Sequence, residues 1–159
     1  MKLSLLLCLA VVVFLTSCSR KENEIEPAAI IETKQNTMPT FSEPKDWSRS
    51  DKNGAITYTA PEGDALLTLV PIADAKDAQS AAKLAWDMMV PGFDRAVKLK
   101  TEEAASRGWD SIWQIEYETS PAEERLVYAY VHSFNGQWSV FLIDANLGTL
   151  GKRSAAVRK

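Results

Sequence analysis

Residues 126–144, LVYAYVHSFNGQWSVFLID, decide the fold of this chain. Asn135-Gly136 in the middle is the strongest short signal for the tight turn of a β-hairpin. The segments on either side, 126–134 and 138–144, are apolar at both odd and even positions, so both of their faces need cover. We therefore predict two paired central strands in an antiparallel sheet that is covered on both sides.

Shorter strands are predicted before this hairpin. Segment 111–119 alternates, and we interpret its polar positions as a solvated face: Gln114, Glu116 and Glu118. Three more strand-like segments precede it: 55–59, 65–71 and 95–100. In the last of these, Val97 and Leu99 are predicted to point inward. Asp51-Lys52-Asn53-Gly54 is interpreted as a turn ahead of the first strand.

A helical period replaces the strand pattern between the second and third of these strands. Asp74 is predicted to cap the helix, Asp77 lies in its first turn, and Pro91-Gly92 ends it. Residues at helical spacing form the predicted buried face: Ala78, Ala81, Ala82, Ala85, Met88 and Met89.

A second helix is predicted from about Leu147, with Leu150 and Val157 inward. The two helices can then cover one face of the sheet and part of the other. The predicted fold class is α+β: an antiparallel sheet of about six strands with helices covering its faces, as an α/β/α sandwich.

The first eighteen residues predict export. Lys2 gives a positive start and residues 3–15 are nearly all apolar. Leu15-Thr16-Ser17-Cys18 is similar to the site at which bacterial lipoprotein precursors are cut before an acylated cysteine. The apolar run is shorter than the roughly 20 residues of a membrane span. We predict a lipoprotein signal peptide over 1–17, with an ordinary signal peptide and a chance cysteine as the alternative.

The chain beyond the leader is predicted to have two parts. Residues 18–45 are the lipidated Cys18 plus a flexible tether, because their charges and prolines leave little apolar surface to bury. Residues 46–159 are long enough for a single α+β domain. Acyl chains such as palmitate on Cys18 would hold the protein to a lipid bilayer. The predicted location is the bacterial cell envelope, on the outer membrane or the periplasmic face in a Gram-negative organism.

The residues predict no reactive centre. His132 is the single histidine, and Cys18 is the one cysteine beyond the leader, so histidine and thiolate metal sites lack ligands. Ser80-Ala81-Ala82-Lys83 has the Ser-x-x-Lys spacing of penicillin-binding enzymes, but the companion motifs are absent. The formal net charge is −3, which does not favour nucleic acid. We therefore predict no catalytic, metal or cofactor site and no nucleic-acid partner.

Five tryptophans are many for this length. Trp86, Trp113 and Trp138 occupy predicted core positions. Trp47 and Trp109 lie at the edges of predicted elements, where an aromatic side chain can line a ligand groove or dock on a partner. We retain these two as candidate surface or groove aromatics, with ordinary edge packing as the alternative.

Several short stretches resemble one known family. They are EGDALLTLV at 62–70, PGFDR at 91–95, GWD at 108–110 and YETSPAEER at 117–125, with LGKR at 150–153 similar to the end of the same unit. Together they resemble a non-catalytic domain that precedes the hydrolase domain in serine hydrolases of the class C β-lactamase type. That resemblance implies a PsbP-like α/β module. The hydrolase domain is missing after Lys159, so the resemblance carries no catalytic residue to this chain.

The expected function is accessory rather than enzymatic. We expect a membrane-anchored lipoprotein carrying a non-catalytic binding module, with no cofactor, that docks on a cell-envelope hydrolase or another envelope protein. Two alternatives stay open: a truncated fragment of a β-lactamase-family serine hydrolase, and a small-molecule-binding envelope protein.

Overall fold

The computed structural model describes the backbone of residues 42–157 and the side chains of residues 42–154. The predicted leader, Cys18 and most of the predicted tether lie outside the described residues, as does the Val157 side chain. All described residues fall within one unit of the chain. Within them, no helix is long and apolar enough to cross a membrane.

The described residues form one antiparallel sheet with a helix on each face. The strands are β1 Ser48–Lys52, β2 Ala55–Thr59, β3 Ala65–Ile72, β4 Val97–Glu103, β5 Ser111–Tyr117, β6 Arg125–Phe134 and β7 Gln137–Asn146. The helices are α1 Ala78–Met89 and α2 Leu147–Val157, and a 3-10 turn covers Pro121–Glu123. The strand order is β1-β2-β3-β7-β6-β5-β4, and every pairing is antiparallel. The predicted fold class is confirmed.

The central hairpin forms where the sequence predicts it. β6 and β7 pair along their length, with Phe134 opposite Gln137 at the turn. Asn135 and Gly136 both have positive φ, 49° and 76°, which is the backbone of a two-residue type I′ turn. Its twist matches that of the strands, so this turn sets the register of the sheet's centre.

Helix α1 lies against the sheet through small side chains. Ala81, Ala82 and Ala85 are fully buried, which lets the helix axis approach the strands closely. The predicted cap is wrong by one turn. Asp77, not Asp74, caps the helix, because its carboxylate accepts from the Ser80 backbone N–H (2.7 Å) while the Ser80 hydroxyl accepts from the Asp77 N–H (3.0 Å).

The predicted inner face of α1 is correct except at its end. Met88 is 46% exposed, whereas Met89 packs against the core beneath the helix. Leu84, one turn before Met88, is exposed as well. The two lie along the outer flank of the helix, at the four-residue spacing that keeps side chains on one face.

The sheet has seven strands rather than about six. The sequence predicts no strand ahead of β2 and only a turn over Asp51-Lys52-Asn53-Gly54, but Ser48–Lys52 pairs in full with Ala55–Thr59. All five of its residues are exposed. A strand with no buried side chain carries no alternating apolar pattern, so the sequence gives no sign of it.

Strand β4 also departs from its prediction. It spans Val97–Glu103, later than the predicted 95–100, and Val97 and Leu99 are exposed by 41% and 55% rather than inward. The pairing with β5 shifts between these two residues at a bulge. A bulge adds one residue, so side chains beyond it exchange faces. β4 is also the last strand of the sheet and has a neighbour on one side only.

Helix α2 covers part of the second face. Its first turn is capped by the Asn146 side chain, which accepts from the backbone N–H groups of Gly148 (2.9 Å) and Thr149 (3.3 Å). Leu150 packs against a buried cluster on the second face, as predicted. That cluster contains Tyr58, Ala60, Ala65, Leu67, Ile143 and Ala145.

Candidate functional site

A row of five side chains crosses the sheet on the face that carries α2. Residues directly opposite in an antiparallel sheet point to the same side. Successive pairings join Ile56 to Leu69, Leu69 to Phe141, Phe141 to Tyr130, and Tyr130 to Gln114. All five are half-buried. We call them the central row. At about 4.8 Å between strands, the row is roughly 19 Å long.

The neighbouring rows on this face are better covered. On one side, Tyr58, Leu67 and Ile143 are buried in the cluster under α2. On the other side, the Trp109 ring lies 4.8 Å from His132 and 6.4 Å from Phe134. The central row is therefore a strip about one side chain wide, bounded by α2 and by Trp109.

The two tryptophans that the sequence predicted for a groove lie on this face, at opposite sides of the central row. Trp47 is half-buried and packs against the cluster under α2. Trp109 is half-buried over His132. The sequence indicates each of them separately at an element edge. Only the sheet register brings them to one face.

His132 belongs to the Trp109 side of the row. Its ring packs edge-on against Phe141, with centroids 5.4 Å apart. Burial lowers its pKa to about 4, although a hydrogen bond with the Ser139 backbone acts in the opposite direction and raises the pKa. The Nδ1 atom is buried without a hydrogen-bond partner among the described residues. At neutral pH His132 is thus an uncharged ring in an aromatic cluster.

Glu116 lies beside Gln114 on β5, and its environment corrects the prediction of a solvated face. Its carboxylate accepts from Lys98 Nζ (2.6 Å) and from the Tyr128 hydroxyl (2.9 Å), and its side chain is only 17% exposed. The hydrogen bond from Lys98 is the main cause that lowers the pKa of Glu116. The pKa of Tyr128 is raised to about 12, mainly by burial and secondly by its hydrogen bond to Glu116.

The Ser80–Lys83 pair is engaged in helix structure. The Ser80 hydroxyl belongs to the capping box and donates to the Asp77 carbonyl (2.9 Å). The Lys83 ammonium pairs with Asp87 at 2.6 Å, one turn along the helix. Among the described residues, no three His, Cys, Asp or Glu side chains are placed to hold a metal ion together.

A cavity of about 600 Å³ opens beside α1, on the opposite face of the sheet from the central row. Its wall includes the stacked rings of Trp86 and Phe93, 4.2 Å apart, with Tyr117 edge-on to both. Burial raises the pKa of Tyr117 to about 12, so its phenol is neutral. The Arg95 guanidinium at the rim is bound to Glu123 (2.6 Å). This site offers an aromatic wall, and two of the charged groups that line it, Lys83 and Arg95, are held in ion pairs.

The central row offers a different chemistry. It presents aromatic and aliphatic side chains with one amide at its end, and no charged residue belongs to it. Such a surface holds apolar groups by burial and ring packing rather than by reaction. Sequence reasoning missed its five members, because they come from five strands. One signal was available in the sequence. The central strands are apolar on both faces, and a helix that contacts the second face through Leu150 is too small to cover all of that apolar surface.

Comparisons with known proteins give a structural similarity alone. No family model matches the chain, and no curated protein matches it. Among solved structures, it is similar to the solution structure of cyanobacterial PsbP (CyanoP) from Synechocystis sp. PCC 6803. The identity is 14%, the match covers 70% of this chain and 76% of that chain, and the TM-score is 0.49. A similarity of this degree carries no information on function. The resemblance to hydrolase-associated domains stays a prediction.

Proposed function

We propose that this chain is a lipid-anchored, non-catalytic binding module of the bacterial cell envelope, and that its binding surface is the central row. The partner we propose is an envelope protein, of which a hydrolase of the type that the sequence resembles is one example. The observation that carries the proposal is the half-buried strip of aromatic and aliphatic side chains between α2 and Trp109.

The composition of the strip supports a protein partner. Aromatic residues are enriched in the buried centres of protein interfaces, and charged residues are depleted there. The central row has Phe141 and Tyr130 at adjacent positions on paired strands, and Lys98 and Glu116 form an ion pair beside its Gln114 end. An apolar centre with a polar rim is the usual anatomy of such an interface.

Site-specific photo-crosslinking in intact cells tests the docking surface. A photoreactive amino acid at Gln114 should yield a discrete adduct with an envelope protein, and Tyr130→Ala in the same chain should abolish it. The matched control is the same probe at Leu84, which is 41% exposed on α1 at the opposite face. Adducts that form equally from both positions, or that survive Tyr130→Ala, would contradict the proposal.

The lipid anchor is tested independently by metabolic labelling with radioactive palmitate. The wild-type chain should incorporate label, and Cys18→Ala should not. Equal label in both chains would refute anchoring through Cys18 and leave the docking surface unaffected.

Binding of a small molecule is a second candidate function, favoured by the cavity beside α1. Trp86 and Phe93 in its wall would report a bound aromatic or apolar compound. A ligand of this site should change tryptophan fluorescence in the wild type and leave that of a Phe93→Ala variant unchanged.

A further inference from the structure

Strand β4 is an open edge of the sheet. In the described part of the chain it pairs with β5 alone, and all seven of its residues are exposed. Two of these residues, Val97 and Leu99, are large apolar side chains. The strand therefore presents outward backbone groups together with apolar surface, and another strand can add to such an edge.

The charges of β4 are ordered along the strand. Its sequence, VKLKTEE, has lysines in the first half and glutamates in the second. Lys100 and Glu102 lie on one face, because they pair with Ile115 and Trp113 of β5. Neither of the two forms an ion pair with another described residue. An antiparallel strand of the same sequence brings the acidic half against the basic half.

Symmetry restricts how two copies of β4 can pair. Residues directly opposite in a continuous antiparallel sheet share a face, so a two-fold axis through the pair sets one residue opposite itself. The regular part of β4 after its bulge is Leu99–Glu103. Centring on Lys100, Glu102 or Glu103 sets like charges directly opposite each other. Centring on Thr101 pairs all five residues and sets Lys100 opposite Glu102 of the second copy, twice.

The other edge of the sheet, β1, lacks this combination. Its sequence, SRSDK, contains no apolar side chain. Arg49 is already held within the chain by ion pairs with Glu43 and Asp51. Addition of a second copy there would cover no apolar surface and would compete with existing pairs, so β4 is the edge that favours a second copy.

We propose that two copies of this chain associate through β4 in antiparallel orientation, with Thr101 at the two-fold axis. The two seven-stranded sheets then form one continuous sheet. One strand per copy makes an interface at the low end of the known size range, so the dimer is weak and reversible.

The dimer joins the two central rows. Thr101 pairs with Gln114, the end member of the row, and lies on the same face. The row of one copy therefore continues through Thr101 into the row of the second copy. For this consequence the inference rests on the proposed function: an envelope partner meets two rows end to end on one surface.

Cysteine crosslinking tests the register. The full chain, with Cys8→Ala and Cys18→Ala, is purified in detergent micelles and treated with a bismaleimide that has a two-carbon spacer. In the proposed dimer the two Thr101 Cα atoms are about 5 Å apart, and the two Leu99 Cα atoms are about 14 Å apart. Thr101→Cys should therefore give a covalent dimer, and Leu99→Cys should not.

Ser50→Cys is the matched control, because it is exposed at the middle of β1 on the other edge. It should give no covalent dimer. Equal crosslinking from Thr101→Cys and Ser50→Cys would indicate chance collisions within micelles and overturn the proposal. Stronger crosslinking from Leu99→Cys or Ser50→Cys, or none from Thr101→Cys, would overturn it as well.

Charge reversal gives a second measurement, by sedimentation velocity over a series of concentrations. Lys100→Glu sets carboxylates against each other at two positions and should weaken dimerisation by about tenfold or more. Adding Glu102→Lys to the same chain restores opposite charges and should return the dimer to its original strength. Both side chains are exposed, so neither variant should change Tm. A dimer that Lys100→Glu leaves intact, or that the double change fails to restore, would contradict the proposal.

The two proposals fail separately. A covalent dimer from Thr101→Cys with no envelope-protein adduct from Gln114 leaves the dimer standing and removes the proposed partner. An envelope-protein adduct from Gln114 with no dimer from Thr101→Cys does the reverse.

Discussion

The Trp109 indole lies against the His132 imidazole, with ring centroids 4.8 Å apart and planes tilted by 40°. Phe141 meets the same imidazole edge-on. A protonated ring at this place would lose its hydration without gaining a carboxylate, since the rings that contact it are apolar. The cluster therefore favours neutral His132, which is the physical cause of its low pKa.

The first prediction is a loss of stability in mild acid. The pKa of His132 is about 4 in the folded chain and about 6.5 when unfolded, so only the unfolded state gains a proton as the pH falls between these values. The free energy of unfolding should fall by about 1–2 kcal/mol between pH 7 and pH 5 because of this residue. Urea unfolding at both pH values measures it.

His132→Phe is the matched variant, because it keeps an aromatic ring and removes the titration. Its unfolding free energy should change less between pH 7 and pH 5 than that of the wild type, by the same 1–2 kcal/mol or so. Equal pH dependence in the two chains would contradict the lowered pKa, because it would show that His132 binds protons equally in the folded and unfolded states.

The second prediction concerns the close contact of α1 with the sheet. Ala85 is fully buried on the side of α1 that faces the sheet. Ala85→Leu forces extra carbons into this filled space and should cost about 1–3 kcal/mol or more of stability. Leu84→Ala, at the next position but on the exposed flank, should stay within about 0.5 kcal/mol of the wild type. Equilibrium urea unfolding compares them. Similar losses in both would mean that the helix is rotated relative to its described position.

The elements that the sequence predicts well are those with local signals. The β6–β7 hairpin has its turn dipeptide, and α1 has alanines at helical spacing, so each is visible within a window of a dozen residues. β1 has neither of these signals: all five of its residues are exposed, and it is a strand by virtue of its pairing with β2. The bulge in β4 shifts the pairing register by one residue. This shift leaves no mark in the composition of the segment, but it exchanges the faces to which Leu99 and Lys100 belong.

The candidate site was harder to predict for a related reason. Trp47 and Trp109 are noticeable one at a time, because large aromatics at element edges are unusual. The central row depends instead on the register of four strand pairings, and a slip of one residue in any of them would move side chains to the other face. Such non-local information is absent from any single stretch of the chain.

The third prediction concerns the carboxylate of Glu116. Tyr128→Phe removes one of its two described hydrogen-bond donors and leaves the ring that packs beside Tyr130, so the pKa of Glu116 should rise. Lys98→Met should raise it further, because the Lys98 hydrogen bond has the larger effect on this group. Side-chain carboxyl chemical shifts followed by NMR against pH measure both. A larger rise in Tyr128→Phe than in Lys98→Met would reverse the assigned order.

The last prediction compares two glycines that both have open space around a built Cβ but differ in φ. Gly136 in the central hairpin has φ +76°, and a Cβ built there meets no atom within 4 Å. Gly136→Ala therefore introduces no clash, but an L-residue in this conformation should cost about 1–2 kcal/mol.

Gly151 in α2 also has open space around a Cβ, and its φ lies outside the positive region. Gly151→Ala should thus stabilise the chain by about 0.5–1 kcal/mol, because alanine has less backbone freedom to lose on folding. Chemical denaturation of the two variants should give shifts of opposite sign relative to the wild type. A stabilising Gly136→Ala would be incompatible with a type I′ turn at Asn135-Gly136. The strand register that defines the central row would then also be in question, because this turn sets it.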